Sequence, residues 1–310
     1  MFRLIKKNTK FDFVRFGKYA LTVTYVLVAL SVASLATGHL NFGIDFTGGA
    51  VVHVQYPHEV DLGKVRQALD QHNLNAAAQH FGSADTVIVR LSSKPDVKTA
   101  KIGQHVMNAL KSGPSGAQLQ GVQYVGPQVG QELVNKGSLA LLYTMIAILL
   151  YVLFRFHWKL AFGAVAALVH DIFITLGVFS VLPLNFDLTV LAALLAVLGY
   201  SVNDTVVVFD RIRENFPRMR KATAPQVVNA AINQTLSRTV MTSGITLLTL
   251  FALLILGGPV LRGFSVTLIV GILVGTYSSI FIASPIALAL KLTAHDLFPP
   301  KEEDAEKASK

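Results

Sequence analysis

Asp204 and Arg238 are the two residues of this sequence best placed for charge chemistry. Asp204 lies in residues 199–205 (GYSVNDT), with apolar residues on both sides, and Arg238 lies in residues 234–239 (QTLSRT). Burial disfavours the charged form of a carboxylate, and a neighbouring guanidinium favours it. A carboxylate balanced between the two can gain and lose a proton as its surroundings shift, so the pair suits a proton relay. A static ion pair, or an arginine that snorkels to the interface, would use the same residue types. His170 and Asp171 form a second candidate. Histidine titrates near neutrality and could join a relay, or the pair could simply bond to backbone or to Ser and Thr of a neighbouring helix. Ser201, Asn203, Thr205, Thr239, Thr242 and Ser243 are polar groups at one level with Asp204 and Arg238. They could line a narrow water path or hydrogen-bond between helices.

Other chemistries find little support. Residues 43–49 (GIDFTGG) lack the Lys and the spacing of a phosphate loop. They read as a structural turn around Asp45, with Gly48 and Gly49 supplying positive φ. Cysteine is absent, which excludes disulfides, thiol catalysis and thiolate metal sites. The nine histidines show no paired ligand spacing, so no metal is expected. No ATPase or hydrolase motif is present, and neither a cofactor nor an enzyme activity is expected. Any work must draw on a membrane gradient or on a partner.

The elements that position these residues follow from composition. Only 15% of the 310 residues are charged and mean hydropathy is +0.53, whereas soluble domains average roughly 25% charged residues. Six stretches are long and apolar enough to cross a bilayer: about 19–37, 138–154, 161–183, 187–208, 236–256 and 264–290. The first exceeds a signal-peptide core, and residues 37–40 (TGHL) are a poor cleavage site, so this helix is expected to be retained. The net charge of +9 does not point to nucleic acid, because the basic residues sit in blocks beside apolar runs. Arg3, Lys6, Lys7, Lys10, Arg15 and Lys18 precede the first helix. Arg155 and Lys159 lie between the second and third, and Arg211, Arg213, Arg218, Arg220 and Lys221 follow the fourth. The turn at 184–186 has no basic residue and that at 257–263 has only Arg262, so both termini are expected to be cytoplasmic. Gly271, Gly275, Ser278 and Ser279 give the last helix a small-residue face for close packing.

The long segment outside the cytoplasm carries its own pattern. Strands are expected at 50–56, 76–81, 85–91 and 118–125. Helices are expected over 61–72 and from a cap at Asp96 through Ile102, Val106 and Leu110. That β-α-β-β-α-β order is the ferredoxin-like plait. The fold expected is therefore an all-α six-helix membrane bundle with an inserted extracytoplasmic α+β ferredoxin-like domain. Its parts are a tail at 1–18, a first membrane helix at 19–37, the inserted domain at 38–137, helices two to six at 138–290 and a cytoplasmic tail at 291–310.

Four stretches carry a resemblance: 43–49 (GIDFTGG), 199–215 (GYSVNDTVVVFDRIREN), 233–244 (NQTLSRTVMTSG) and 257–265 (GGPVLRGFS). With them the chain resembles, over nearly its whole length, the SecF family of bacterial protein-export subunits. That family belongs to the SecD/SecF group and is related to the resistance–nodulation–division exporters. The resemblance implies a subunit of the bacterial inner membrane that pairs with a separate SecD and uses proton flow to help draw unfolded exported polypeptides from the SecYEG translocon. YajC and YidC are further candidate partners. It also places the family's proton-pathway Asp and Arg on Asp204 and Arg238. Two rivals remain open at this point: a passive scaffold or chaperone that conducts no protons, and half of a small-molecule exporter.

Overall fold

The structure is a computed structural model that describes residues 11–38, 40–74, 76–91, 99–182 and 184–298. Six helical spans among the described residues are long and apolar enough to cross a membrane. They begin with α1 (Phe13–Ala36), capped by Asp12, whose carboxylate accepts from Arg15 N at 3.0 Å. A short strand β1 (Asn41–Phe42) and a single helical turn α2 (Ile44–Thr47) then lead into a sheet domain. That domain runs β2 (Gly49–Gln55), α3 (Leu62–Gln71), β3 (Ala76–Phe81), β4 (Ser83–Leu91), α4 (Thr99–Leu110) and β5 (Gln118–Val125). Its four strands are all antiparallel in the order β3-β4-β2-β5, so β4 and β2 are the two inner strands. Asp61 caps α3, and Val65 and Leu69 of that helix meet Val52, Val54, Val87 and Val89 in a dry core closed by Val106 and Leu110 of α4. Each such side chain contributes about 1.5–3 kcal/mol through burial. The expected cap at Asp96 lies outside the described residues.

The bundle continues with α5 (Pro127–Arg155), α6 (Trp158–Val181), a short strand β6 (Asn185–Phe186), α7 (Leu188–Arg218), α8 (Ala224–Leu256) and α9 (Gly258–Ser278). A π-helical turn at Ser279–Ala283 joins α9 to α10 (Ser284–Ala289), and α11 (Ala294–Leu297) follows. Most of these helices outrun the apolar stretches that announced them. α5 starts at Pro127 rather than near 138. Arg211, Arg213 and Arg218 belong to the last turns of α7, not to a connection. Residues 258–263 are not a turn, because α9 begins at Gly258. α8 begins at Ala224, behind a capping box in which Thr223 N donates to the Gln226 side chain at 2.9 Å, so Arg238 sits mid-helix instead of opening it. Apolar length reads the bilayer; capping sets where the helix itself starts.

The charged connections gather at one end of the bundle. Arg155 meets Asp210 at 2.6 Å, and Lys159 meets Asp296 at 2.7 Å and donates to Lys291 O at 3.0 Å. Asn229 and Asn233 bond the backbone of Phe11 and Phe13. Burial would push the Asp296 carboxyl up, but hydrogen bonds from Lys159 and Thr293 and the Lys159 charge hold it down at about 2. The sheet domain sits at the opposite end. It touches the bundle through β1, which pairs in parallel with β6, and through Gly82 against Pro259.

Candidate functional site: two buried carboxylates

Asp204 lies on the inner face of α7 and is 2% exposed. Its Oδ2 accepts from Thr276 Oγ1 of α9 at 3.4 Å, at the long end for a hydroxyl donor. Thr276 is in turn 2.9 Å from Ser243 Oγ of α8, and Tyr200 OH donates to Ser243 at 3.5 Å. The hydroxyls thus run donor to acceptor from Tyr200 through Ser243 and Thr276 to Asp204, and they tie three helices to one carboxylate.

A second carboxylate lies on α6. Asp171 is fully buried, with Oδ1 3.0 Å from His170 Nδ1 and Oδ2 accepting from Ser201 Oγ at 2.5 Å and from Ser278 Oγ at 2.9 Å. Ser201 precedes Asp204 by one turn of α7, and Ser278 follows Thr276 by two residues on α9, so the two carboxylates share one polar seam. His170 Nε2 is buried and has no hydrogen-bond partner among the described residues. The seam is narrow because glycine lines it. A Cβ on Gly271 would stand 2.1 Å from Val197 Cγ2, and one on Gly275 would stand 3.0 Å from Ser201 Cβ.

Other expected site residues are placed less centrally. Thr205, Thr239 and Ser243 are buried on the inner face, while Asn203 and Thr242 are exposed. Thr242 Oγ1 turns back to the carbonyls of Arg238 and Thr239. Arg238 is exposed, and among the described residues no ion pair within 4.0 Å joins it to Asp204. The two groups are thus not a close ion pair, since α7 presents Asp204 inward and Arg238 is exposed on α8, but the guanidinium stands near enough for its charge to act on the carboxylate, as expected of a neighbouring arginine. Sequence reasoning missed Thr276 and Tyr200. It also missed Tyr277, whose OH donates to Ala20 O at 2.7 Å and bonds Thr24 at 3.2 Å, tying α9 to α1. The run of hydroxyls in residues 276–279 (TYSS) was the available signal.

The turn at 43–49 is more than a turn. Residues 44–47 form α2, and Gly48 and Gly49 follow with φ of +68° and +128°. Asp45 Oδ2 accepts from Leu188 N, the first residue of α7, at 2.9 Å.

Comparison with known proteins agrees with this architecture. Residues 105–293 match the family described as "Protein export membrane protein SecD/SecF, C-terminal", and residues 33–56 match the "SecD/SecF GG Motif". The chain is 48% identical to a protein translocase subunit SecF of Vibrio alginolyticus, covering 98% of this chain and 97% of the relative. It is 47% identical to one of Pseudomonas aeruginosa, covering 94% and 95%. Among solved structures it superposes on SecDF of Thermus thermophilus, a translocon-associated membrane protein, with a TM-score of 0.84 at 37% identity. That match covers 93% of this chain and 40% of the SecDF chain.

Proposed function

The chain belongs to the SecD/SecF family of protein export membrane proteins, and from that premise we propose that it couples proton movement through its bundle to polypeptide export. It is a multi-pass membrane protein with a transport role. In our reading Asp204 gains and loses the proton. The observation that carries this is Asp204's position: a carboxylate 2% exposed inside an apolar bundle, met by the hydroxyls of Thr276 and Ser243 and by the more distant charge of Arg238, with no ion pair within 4.0 Å among the described residues. Ionisable groups are costly in a membrane interior and rarely sit there without a role.

The exposed face of α7 and α8 supports a partner. Asn203, Arg238 and Thr242 stand there among apolar residues. An arginine that leaves its own bundle's interior, next to other polar groups on the surface, is met well by a polar patch of a partner protein. A SecD subunit suits that surface, because in SecDF a fold like this one fills 40% of a longer chain. We assign the charged end of the bundle to the cytoplasm of a bacterial inner-membrane protein by the positive-inside rule. The sheet domain then lies outside, where its antiparallel β3-β4-β2-β5 order supports a ferredoxin-like plait. There it would act on chains leaving SecYEG.

Asp204→Asn keeps size and hydrogen bonding but can never carry the negative charge. In vesicles containing the SecD-paired complex and SecYEG, it is expected to assemble normally while losing proton flux and export stimulation. Parent-rate export by Asp204→Asn under a normal gradient would end the proton reading and leave a passive scaffold.

A further inference from the structure

The proton reading leaves residues 41–49 without a task, yet they make some of the closest contacts between the two halves of the molecule. On the bundle side, Phe42 pairs in register with Phe186, and Gly43 N donates to Phe186 O at 2.8 Å. Phe46 stacks on Phe186 with ring centroids 5.7 Å apart. Asp45 then accepts from Leu188 N at 2.9 Å, beside Asp187, which holds Val190 N of the same turn at 2.9 Å. The first turn of α7 is therefore gripped by two carboxylates, one from α7's own cap and one from the loop.

On the other side the loop has no slack. A Cβ on Gly48 would stand 3.1 Å from Pro127 Cα, and one on Gly130 would stand 3.0 Å from Gly48 N, so α5 presses directly on its backbone. Gly49 is the first residue of β2, an inner strand of the sheet domain. From Leu188 to Asp204, α7 is one uninterrupted helix, a rod of about 24 Å at 1.5 Å per residue.

We propose that residues 41–49 are the joint that carries motion between the two halves, with Asp45 as its positioning residue. Asp45 fastens the head of the Asp204 helix to the turn that leads straight into the inner strand β2 of the sheet domain. A shift of α7 on proton exchange then moves that domain instead of dissipating in a loose loop. This rests on the proton reading of Asp204.

The test uses the SecD-paired complex in vesicles with SecYEG, reading assembly, proton flux and export separately. Asp45→Ala removes the acceptor for Leu188 N and leaves the polar seam untouched. It is expected to assemble and to keep proton flux within about two-fold of the parent, while export stimulation falls roughly five-fold or more, the lower end of ordinary coupling between sites. Because the chain has no cysteine, Asn41→Cys with Asn185→Cys can staple β1 to β6 across their paired positions. Oxidising that staple in the Asp45→Ala background is expected to restore stimulation, and reduction to remove it again. Undiminished export by Asp45→Ala, a parallel loss of flux and export, or a staple that restores nothing would each overturn the joint. Asp204→Asn run alongside separates the two ideas. If it exports normally, the proton reading falls and the joint with it. If it is inactive while Asp45→Ala exports normally, only the joint falls.

Discussion

The two cores of this protein are built on opposite plans. In the sheet domain, Val52, Val54, Val65, Leu69, Val87 and Val89 meet in a cluster whose polar group is the Tyr56 hydroxyl, and among the described residues no charged side chain is buried with them. In the bundle, Asp171, Asp204, Ser201, Thr205, Thr239 and Ser278 are buried among Leu160, Leu168, Leu194 and Leu198, while Phe154 is 95% and Leu256 83% exposed. Water drives the first arrangement, since apolar surface gains by leaving it. Lipid offers no such drive between helices, so close packing and interhelical hydrogen bonds hold the second. A polar residue that would ruin the sheet domain's core is thus a structural member of the bundle's.

That contrast can be broken most forcefully at Leu69. Leu69→Asp buries a charge with no partner and should abolish folding of the sheet domain, an effect beyond about 4 kcal/mol. Circular dichroism of an excised 42–130 fragment is the check, and a parent-like melt would refute the dry core. In the bundle, the polar seam should prove nearly as important. Asp171→Ala strips the acceptor from Ser201, Ser278 and His170, at about 1–3 kcal/mol for each buried group left unsatisfied. Its thermal aggregation midpoint in detergent should fall well below that of Asp171→Asn; equal midpoints would mean that the seam is not structural.

Close packing predicts the next effect in size. A Cβ on Gly163 would stand 2.4 Å from Ala283 O, whereas one on Gly199 would meet nothing within 4 Å. Gly163→Leu should therefore cost about 1–3 kcal/mol or more through overpacking, and Gly199→Leu should melt like the parent. The smallest effect is a pH dependence in the sheet domain. Burial lowers the His53 pKa below its usual 6.5, so the unfolded chain binds more protons and stability falls as the pH drops through 6.5. His53→Gln should flatten that slope between pH 7.5 and 5.5; an unchanged slope would point to other groups.

The sequence made the long elements plain and hid their ends and partners. A lone carboxylate at 204 in an apolar stretch is costly and so conspicuous, whereas Thr276 carries no such cost and reads as one more small residue. Its role depends on contact with a helix 72 positions away. Arg238 was legible as a charge, but its outward aim follows from rotation about α8, which apolar content does not fix. Ser201 stands one turn from Asp204 and yet serves Asp171, because residues three apart on a helix can still face different neighbours. In the sheet domain the alternation of valines gave most strand limits closely. The β1–β6 bridge escaped because two-residue strands leave no periodicity.

The glycines at 271 and 275 bear on tolerance. The side chains of Val197 and Ser201 on α7 occupy the space that a Cβ at either glycine would need, so α9 can add no side chain there without moving away from α7. Asp204 and Thr276 stand on these same two helices at 3.4 Å, a separation at which a few tenths of an ångström decide whether a hydrogen bond exists. The glycine seam is thus a gauge block, setting for the whole life of the protein a clearance that no larger residue at 271 or 275 could keep.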